Sequence, residues 1–152
     1  MTRENVEILE RMYAAGEAMD REEMLARLPG LIREVADPQV EWVEAPNRID
    51  RRVYRGHAGV LQAFHHWLDG FDEYRFELRE IVDLGCDLLV VGHEEGRGAA
   101  SGATVSADSY RLFTFSGGRV VRSCGFSDRA AALAAAGRPD DGENLEDGEN
   151  LE

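Results

Sequence analysis

The side chains able to do chemistry are few and scattered. His57, His65, His66 and His93 are the imidazoles, the side chains whose ordinary pKa lies nearest neutrality. His65 and His66 are adjacent in a helical segment, so they point about 100° apart and do not share a metal easily. No HxxxH or His-x-His spacing occurs, and the two cysteines, Cys86 and Cys124, form no CxxC motif. No metal centre and no cofactor are therefore expected. Gly96, Gly98 and Gly102 follow a strand-like run but open no helix, so they do not make a phosphate cradle. Arg111 is more informative. Strand alternation puts Ala107, Ser109, Arg111 and Phe113 on one face. Two readings stay open. The guanidinium either lines a cavity, where it binds a carboxylate or enolate or stacks on Trp42 or Trp67, or it sits at a rim paired with an acid.

The elements that must position these groups follow from periodicity. Residues 3–19 carry Val6, Leu9, Met12, Tyr13 and Gly16 at helical spacing, with acids on the other face. Asp20 caps a second helix from Arg21, which Pro29-Gly30 is expected to kink or break. A short strand covers Val40–Ala45, a polar loop 46–56, and a third helix Gly59–Gly70 with Val60, Ala63, Phe64, Trp67 and Leu68 on one face. The period then changes from helical to alternating. Tyr74, Phe76 and Leu78 alternate with charged residues, and the phase slips near Glu80, the mark of a bulge. Strands follow at Leu88–Glu95, Thr104–Phe115 and Val120–Phe126, and Asp128–Ala136 makes a short terminal helix or turn. Helices first and an antiparallel meander after make an α+β fold with one curved sheet packed on helices.

At 152 residues the chain holds one domain with a core large enough to need no staples. Its hydrophobic fraction of 43% and mean hydropathy of −0.39 are those of a globular protein. The net charge of −13 argues against nucleic acid and anionic membrane as partners. All 17 cations are Arg. Residues 138–152 read as an acidic disordered tail in which Asp-Gly-Glu-Asn-Leu-Glu occurs twice in succession. The tail's seven acids account for about half of the net charge. The start of the sequence has no apolar leader and no stretch long enough to span a bilayer, so a cytoplasmic location is expected.

Five segments carry a family likeness in their order and spacing. They are Glu4-Asn5-Val6-Glu7-Ile8-Leu9 with Tyr13 and Asp20; Asp37-Pro38-x-Val40-Glu41-Trp42; Tyr54-Arg55-Gly56-x-x-Gly59-Val60; Gly117-Gly118-Arg119-Val120-Val121; and Asp128-Arg129-Ala130. Over residues 3–137 the chain resembles the SnoaL-like proteins of the nuclear transport factor 2-like superfamily. The resemblance implies a cone-shaped α+β barrel, in which three helices close a strongly curved, mostly antiparallel sheet around an apolar pocket. It also implies a domain spanning residues 1–137 and a homodimer formed through the outer face of the sheet. Relatives include ketosteroid isomerases, polyketide cyclases and limonene epoxide hydrolases, so the fold leaves the chemistry open.

Carried over residue by residue, the resemblance puts Tyr13 where isomerase-type relatives place an oxyanion-hole tyrosine. Trp42 stands in place of the isomerase general base, Phe64 in place of the bracing tyrosine, Arg111 in place of the protonated acid, and Gly125 in place of the epoxide hydrolases' last-strand acid. Those departures disfavour steroid-isomerase and epoxide-hydrolase chemistry by the family routes. The expected catalytic contacts are Tyr13 and Arg111. The expected pocket walls are Trp42, Phe64, Trp67, Ser109 and Phe113, with His65 at the mouth. Function is then the binding of a small cyclic or aromatic organic molecule, with isomerase-, cyclase- or hydro-lyase-like chemistry as the enzymatic version. The alternative is a non-catalytic ligand-binding or structural dimer module.

Overall fold

A computed structural model of the chain describes residues 2–17, 19–46 and 52–136. The expected domain end at residue 137 and the tail at 138–152 lie outside the described residues. Three helices come first or interleave with the first strands: α1 (Thr2–Glu17), α2 (Arg21–Val35) and α3 (Gly56–Leu68). The strands are β1 (Ala36–Val43), β2 (Val53–Arg55), β3 (Phe71–Asp83), β4 (Asp87–Gly98), β5 (Thr104–Ser116) and β6 (Arg119–Phe126), and a short α4 (Arg129–Ala135) follows. They form one six-stranded curved sheet in the order β2-β1-β6-β5-β4-β3. The α+β class is as expected. The sheet, however, stays open, with β2 and β3 as its edges, rather than closing into a barrel.

Four departures from the sequence reading have physical reasons. The sheet is mixed, because β1 pairs with β6 in parallel while every other pair is antiparallel. β1 starts earlier than expected and contains Pro38. Its pairing with β6 skips from Ala36 to Glu41, which leaves Pro38 outside the ladder that a missing N–H would break. α2 runs through Pro29-Gly30 without a break. Leu28 and Ile32, on either side of that pair, are buried in the core, and their packing outweighs the roughly 3 kcal/mol a helical proline costs. Finally, part of the polar loop is the strand β2, which matches Tyr54 to Trp42 and buries Tyr54.

The β3–β4 hairpin shows why glycine belongs in its second strand. A Cβ on Gly92 would lie 2.2 Å from the Phe76 ring, and one on Gly96 would lie 2.6 Å from the Phe71 ring. The two aromatic rings occupy the room the glycines leave, so β4 continues to Gly98, past the expected strand end at Glu95. The expected bulge is present, as a register shift between Leu78 and Glu80. Gly117 and Gly118, both at positive φ, make the tight β5–β6 turn that side chains would strain.

The sheet carries packing on both faces. On the concave face, Leu9, Leu28, Ile32, Val40, Val60, Val90 and Phe113 form the main core with the three long helices. On the convex face, Leu89, Leu112 and Ala132 form a smaller cluster under α4. Asp128 caps α4 by accepting from the Ala131 N–H at 2.8 Å.

Candidate functional site

The alternation along β4 and β5 decides what reaches the interior. Leu88, Val90, Gly92 and Glu94 share one face of β4, and Ala107, Ser109, Arg111 and Phe113 share the facing register of β5. Between this concave wall and the helices lies a cavity of about 380 Å³, within the usual size of a small-molecule site. Tyr13 from α1, Trp42 from β1, Phe64 and Trp67 from α3, and Ser109, Arg111 and Phe113 from β5 all line it. His65 does not. It is exposed on α3, because the helix commits its Val60, Ala63, Phe64 and Trp67 side inward and the next residue turns about 100° away. The expectation that His65 sits at the pocket mouth is therefore corrected.

Aromatic rings form the walls in contact with one another. Tyr13 stacks on Phe76 with centroids 5.0 Å apart and meets Phe113 edge-on at 6.4 Å. Trp42 packs against Phe64 at 5.1 Å and against Phe113 at 6.2 Å. Trp67 packs on Phe71 at 5.1 Å. Such offset and edge-on pairs add order to an apolar wall beyond the area they bury.

Arg111 is the cation of this chamber. Its Nη1 donates to the Val43 carbonyl at 3.2 Å and to the Ser123 hydroxyl at 3.1 Å. Its Cζ lies 4.1 Å from the centroid of the Trp42 ring, a cation–π contact. Ser123 is fully buried, so this bond also satisfies a hydroxyl the core would otherwise strand. No described carboxylate forms an ion pair with Arg111, and its Nε and Nη2 make no hydrogen bond to the described residues. Of the two readings open at the outset, the geometry is that of the cavity. Burial pulls the guanidinium's pKa below its ordinary value, opposed by Tyr13, Cys124, Glu94 and Glu44.

Gly125 explains how an arginine fits here. It lies opposite Arg111 on β6, and a Cβ added to it would stand 2.8 Å from the Arg111 Nη2. The position where certain relatives carry an acid is thus the space the guanidinium occupies. Arg111 is held by glycine on one side and by indole on the other.

Glu17, Glu44, Glu94 and Asp108 also line the cavity, acids that the sequence reading did not place there. Glu44 is buried, and its Oε1 accepts the Arg52 N–H at 3.1 Å. Glu94 accepts the Tyr74 hydroxyl at 2.8 Å. Burial raises the Tyr74 pKa well above that of an ordinary phenol, and the neighbouring Glu94 charge raises it further. Burial also raises the Tyr13 pKa, with Arg111 pulling the other way. Both phenols are therefore hydrogen-bond donors at neutral pH, not phenolates. The signal for Glu94 was present in the alternation, since it falls two residues after Gly92 and four after Val90.

Among the described residues, no group of three or more His, Cys, Asp or Glu side chains could hold a metal ion. No helix among the described residues is long and apolar enough to cross a membrane. Cys86 is exposed and Cys124 buried, both as free thiols.

Comparison with known proteins bears on the fold and the family. The chain is similar to TerC, solved co-crystallised with polyporic acid, at 24% identity and a TM-score of 0.65, over 84% of this chain and 94% of that one. It is similar to a protein of Jannaschia sp. CCS1 assigned as a SnoaL-like polyketide cyclase, at 21% identity and a TM-score of 0.68, over 90% and 94% of the two chains. It is also similar to an NTF2-like protein of Burkholderia thailandensis E264, at 22% identity and a TM-score of 0.67, over 89% and 98%. No curated protein matches it significantly. These likenesses share the open, curved-sheet NTF2-like fold. A family profile for the SnoaL-like domain matches residues 9–123, and the chain belongs to that family.

Proposed function

We propose that this protein binds a small cyclic or aromatic organic anion, a carboxylate or an enolate, inside the cavity. The observation that carries this reading is Arg111, whose Nε and Nη2 make no hydrogen bond to described residues inside a chamber of aromatic rings. Removing a cation from water is costly unless an anion meets it. A bound anion would supply that partner, and the planar guanidinium suits bidentate contact with two oxygens. Trp42, Phe64, Trp67 and Phe113 would hold the ring, while Tyr13 and Ser109 offer hydroxyls near it. The acidic ligand named for the TerC structure supports the same direction.

The experiment is a calorimetric titration with 2-naphthoate and its neutral analogue 2-naphthamide. The carboxylate binds one per chain and the amide binds far more weakly. Equal affinity for the two, or no binding of either, contradicts the proposal.

A second reading concerns assembly. Among the described residues, the convex cluster of Leu89, Leu112, Val91, Tyr110 and Phe126 is covered by the seven-residue α4. That favours a homodimer through the outer sheet face. Sedimentation at about 34 kDa, twice the 16.9 kDa chain mass, supports it, and a strict monomer at micromolar concentration contradicts it.

A further inference from the structure

A second group of chemistry-bearing side chains stands on the face of the sheet opposite Arg111. The β4–β5 register sets His93 across from Asp108 and Glu95 across from Ser106, and alternation turns all four to the convex face. His93 joins the two strands. Its Nδ1 lies 3.0 Å from Asp108 Oδ1, and its Nε2 lies 2.9 Å from the Ser106 Oγ. A carboxylate only accepts, so in the neutral ring Nδ1 carries the proton and donates it to Asp108. Nε2 is then a lone pair, and the Ser106 hydroxyl donates to it. Nε2 also lies 3.4 Å from Glu95 Oε2, so carboxylates flank both ring nitrogens.

The surroundings leave the hydroxyl accessible. β6 pairs with β5 only from Tyr110 to Ser116, so among the described residues Thr104–Ser109 has no strand on that side. Alternate backbone N–H groups of this stretch point to the open edge. Ser106 and Asp108 are exposed, while the His93 side chain is only 19% exposed. The convex apolar cluster ends two register positions earlier, at Val91 and Tyr110. Val105, the residue before Ser106, is an apolar side chain left 39% exposed.

A serine bonded to one imidazole nitrogen, with a carboxylate on the other, is the arrangement that activates a hydroxyl for acyl transfer. We propose that Ser106, His93 and Asp108 form a hydrolytic site on the outer face of the sheet, separate from the cavity chemistry, that cleaves small esters. Ser106 and His93 are the catalytic residues, and Asp108 is a positioning residue that fixes the ring and its tautomer. Water is the co-reactant. The Ser106 Oγ attacks the ester carbonyl carbon as its proton passes to His93 Nε2. The carbonyl π pair moves onto oxygen, where the edge N–H groups of β5 are the available donors. That pair then re-forms the carbonyl, the bond to the alcohol oxygen breaks, and the alcohol leaves with the proton from Nε2. Water attacks the acyl-serine in the same way, giving its proton to Nε2. The bond to Oγ breaks, Ser106 recovers the proton, and the carboxylic acid departs.

Two measurements test the site. The first treats the full-length wild-type protein with a fluorophosphonate and locates the adduct by peptide mass spectrometry. The chain has no lysine, so no amine side chain competes for the reagent. The adduct is expected on Ser106. No adduct, or one confined to other residues, overturns the proposal, and this result needs no variant to fold. The second follows hydrolysis of p-nitrophenyl acetate and butyrate, with melting curves to show that each variant is folded. Wild type hydrolyses them faster than buffer, and Ser106→Ala falls to the buffer rate. His93→Gln loses about 10²–10⁴-fold, the range of a general base. Asp108→Asn lowers kcat with KM unchanged, and Asp108→Glu recovers part of it. His65→Gln, which removes an exposed imidazole elsewhere, keeps the wild-type rate. Wild type no faster than buffer overturns the proposal. So does a folded Ser106→Ala or His93→Gln at the wild-type rate, or a loss in His65→Gln equal to that in His93→Gln.

Discussion

The two faces of the sheet treat charge in opposite ways, although the same strands build both. On the convex face, charges answer one another across strands. Glu41 accepts from Arg122 at 3.0 Å and also pairs with Arg55. His93, one residue before Glu94, lies with its Nδ1 3.0 Å from Asp108 and its Nε2 2.9 Å from the Ser106 hydroxyl. On the concave face, Arg111 has carbonyl, hydroxyl and indole for company and no ion pair with a described carboxylate. A one-residue step along a strand moves a side chain from a wet face, where pairs form and dissolve cheaply, to a closed chamber where an uncompensated cation is costly. The convex carboxylates named here pair within the chain, whereas Arg111 has no ion pair with a described carboxylate.

The largest expected effect tests the concave wall. Gly92→Val places carbon on the Phe76 ring and 2.9 Å from the Glu77 carbonyl oxygen, where there is no room for it. The fold should lose about 3 kcal/mol or more, read as a lower urea midpoint, because overpacking cannot relax against backbone. A loss below about 0.5 kcal/mol would show that this wall is soft.

A convex pair comes next. Arg122 and Arg55 hold the Glu41 carboxyl below its ordinary 4.5, the Arg122 hydrogen bond contributing most. A depressed carboxyl contributes stability above its unfolded pKa and loses it as pH falls through the folded value. Glu41→Gln should therefore cost at most about 1 kcal/mol at pH 7. The deficit relative to wild type should shrink as pH falls below the ordinary carboxylate range, vanish once the folded-state carboxyl is protonated, and shrink in high salt. A deficit that persists unchanged in acid contradicts the pairing.

Asp108→Asn should cost less still, about 0.5 kcal/mol or below by thermal melting, since its partnership with His93 is solvent-exposed. Smallest of all is removal of residues 139–152, whose composition is acidic and nearly free of apolar side chains. The melting temperature should stay within error.

Much of this arrangement was legible in the residues. Alternation alone put Arg111 with Ser109 and Phe113, and helical spacing put Tyr13, Phe64 and Trp67 on apolar faces. Glu94 was harder. Its inward position follows from alternation with Val90, but its meaning depends on Tyr74. The β3–β4 register sets that partnership, and the bulge between Leu78 and Glu80 shifts it, an offset that local sequence does not specify. The parallel β1–β6 pairing was hidden for a similar reason. It joins the first and last long strands, and neither carries a local mark of the other. Gly125 read as a missing acid, whereas the packing shows it as the space that admits an arginine.

In the proposed function, Arg111 is held ready for an organic anion. Titrating 2-naphthoate into wild type and Arg111→Met, with melting curves of both unliganded proteins, tests it most directly. Arg111→Met should lose at least tenfold in carboxylate affinity while staying folded, because removing a buried guanidinium that has no ion pair with a described carboxylate offsets the loss of its bond to Ser123. Undiminished affinity, or a folded state several degrees less stable with no change in binding, would contradict it and make Arg111 a structural tie between β1 and β6.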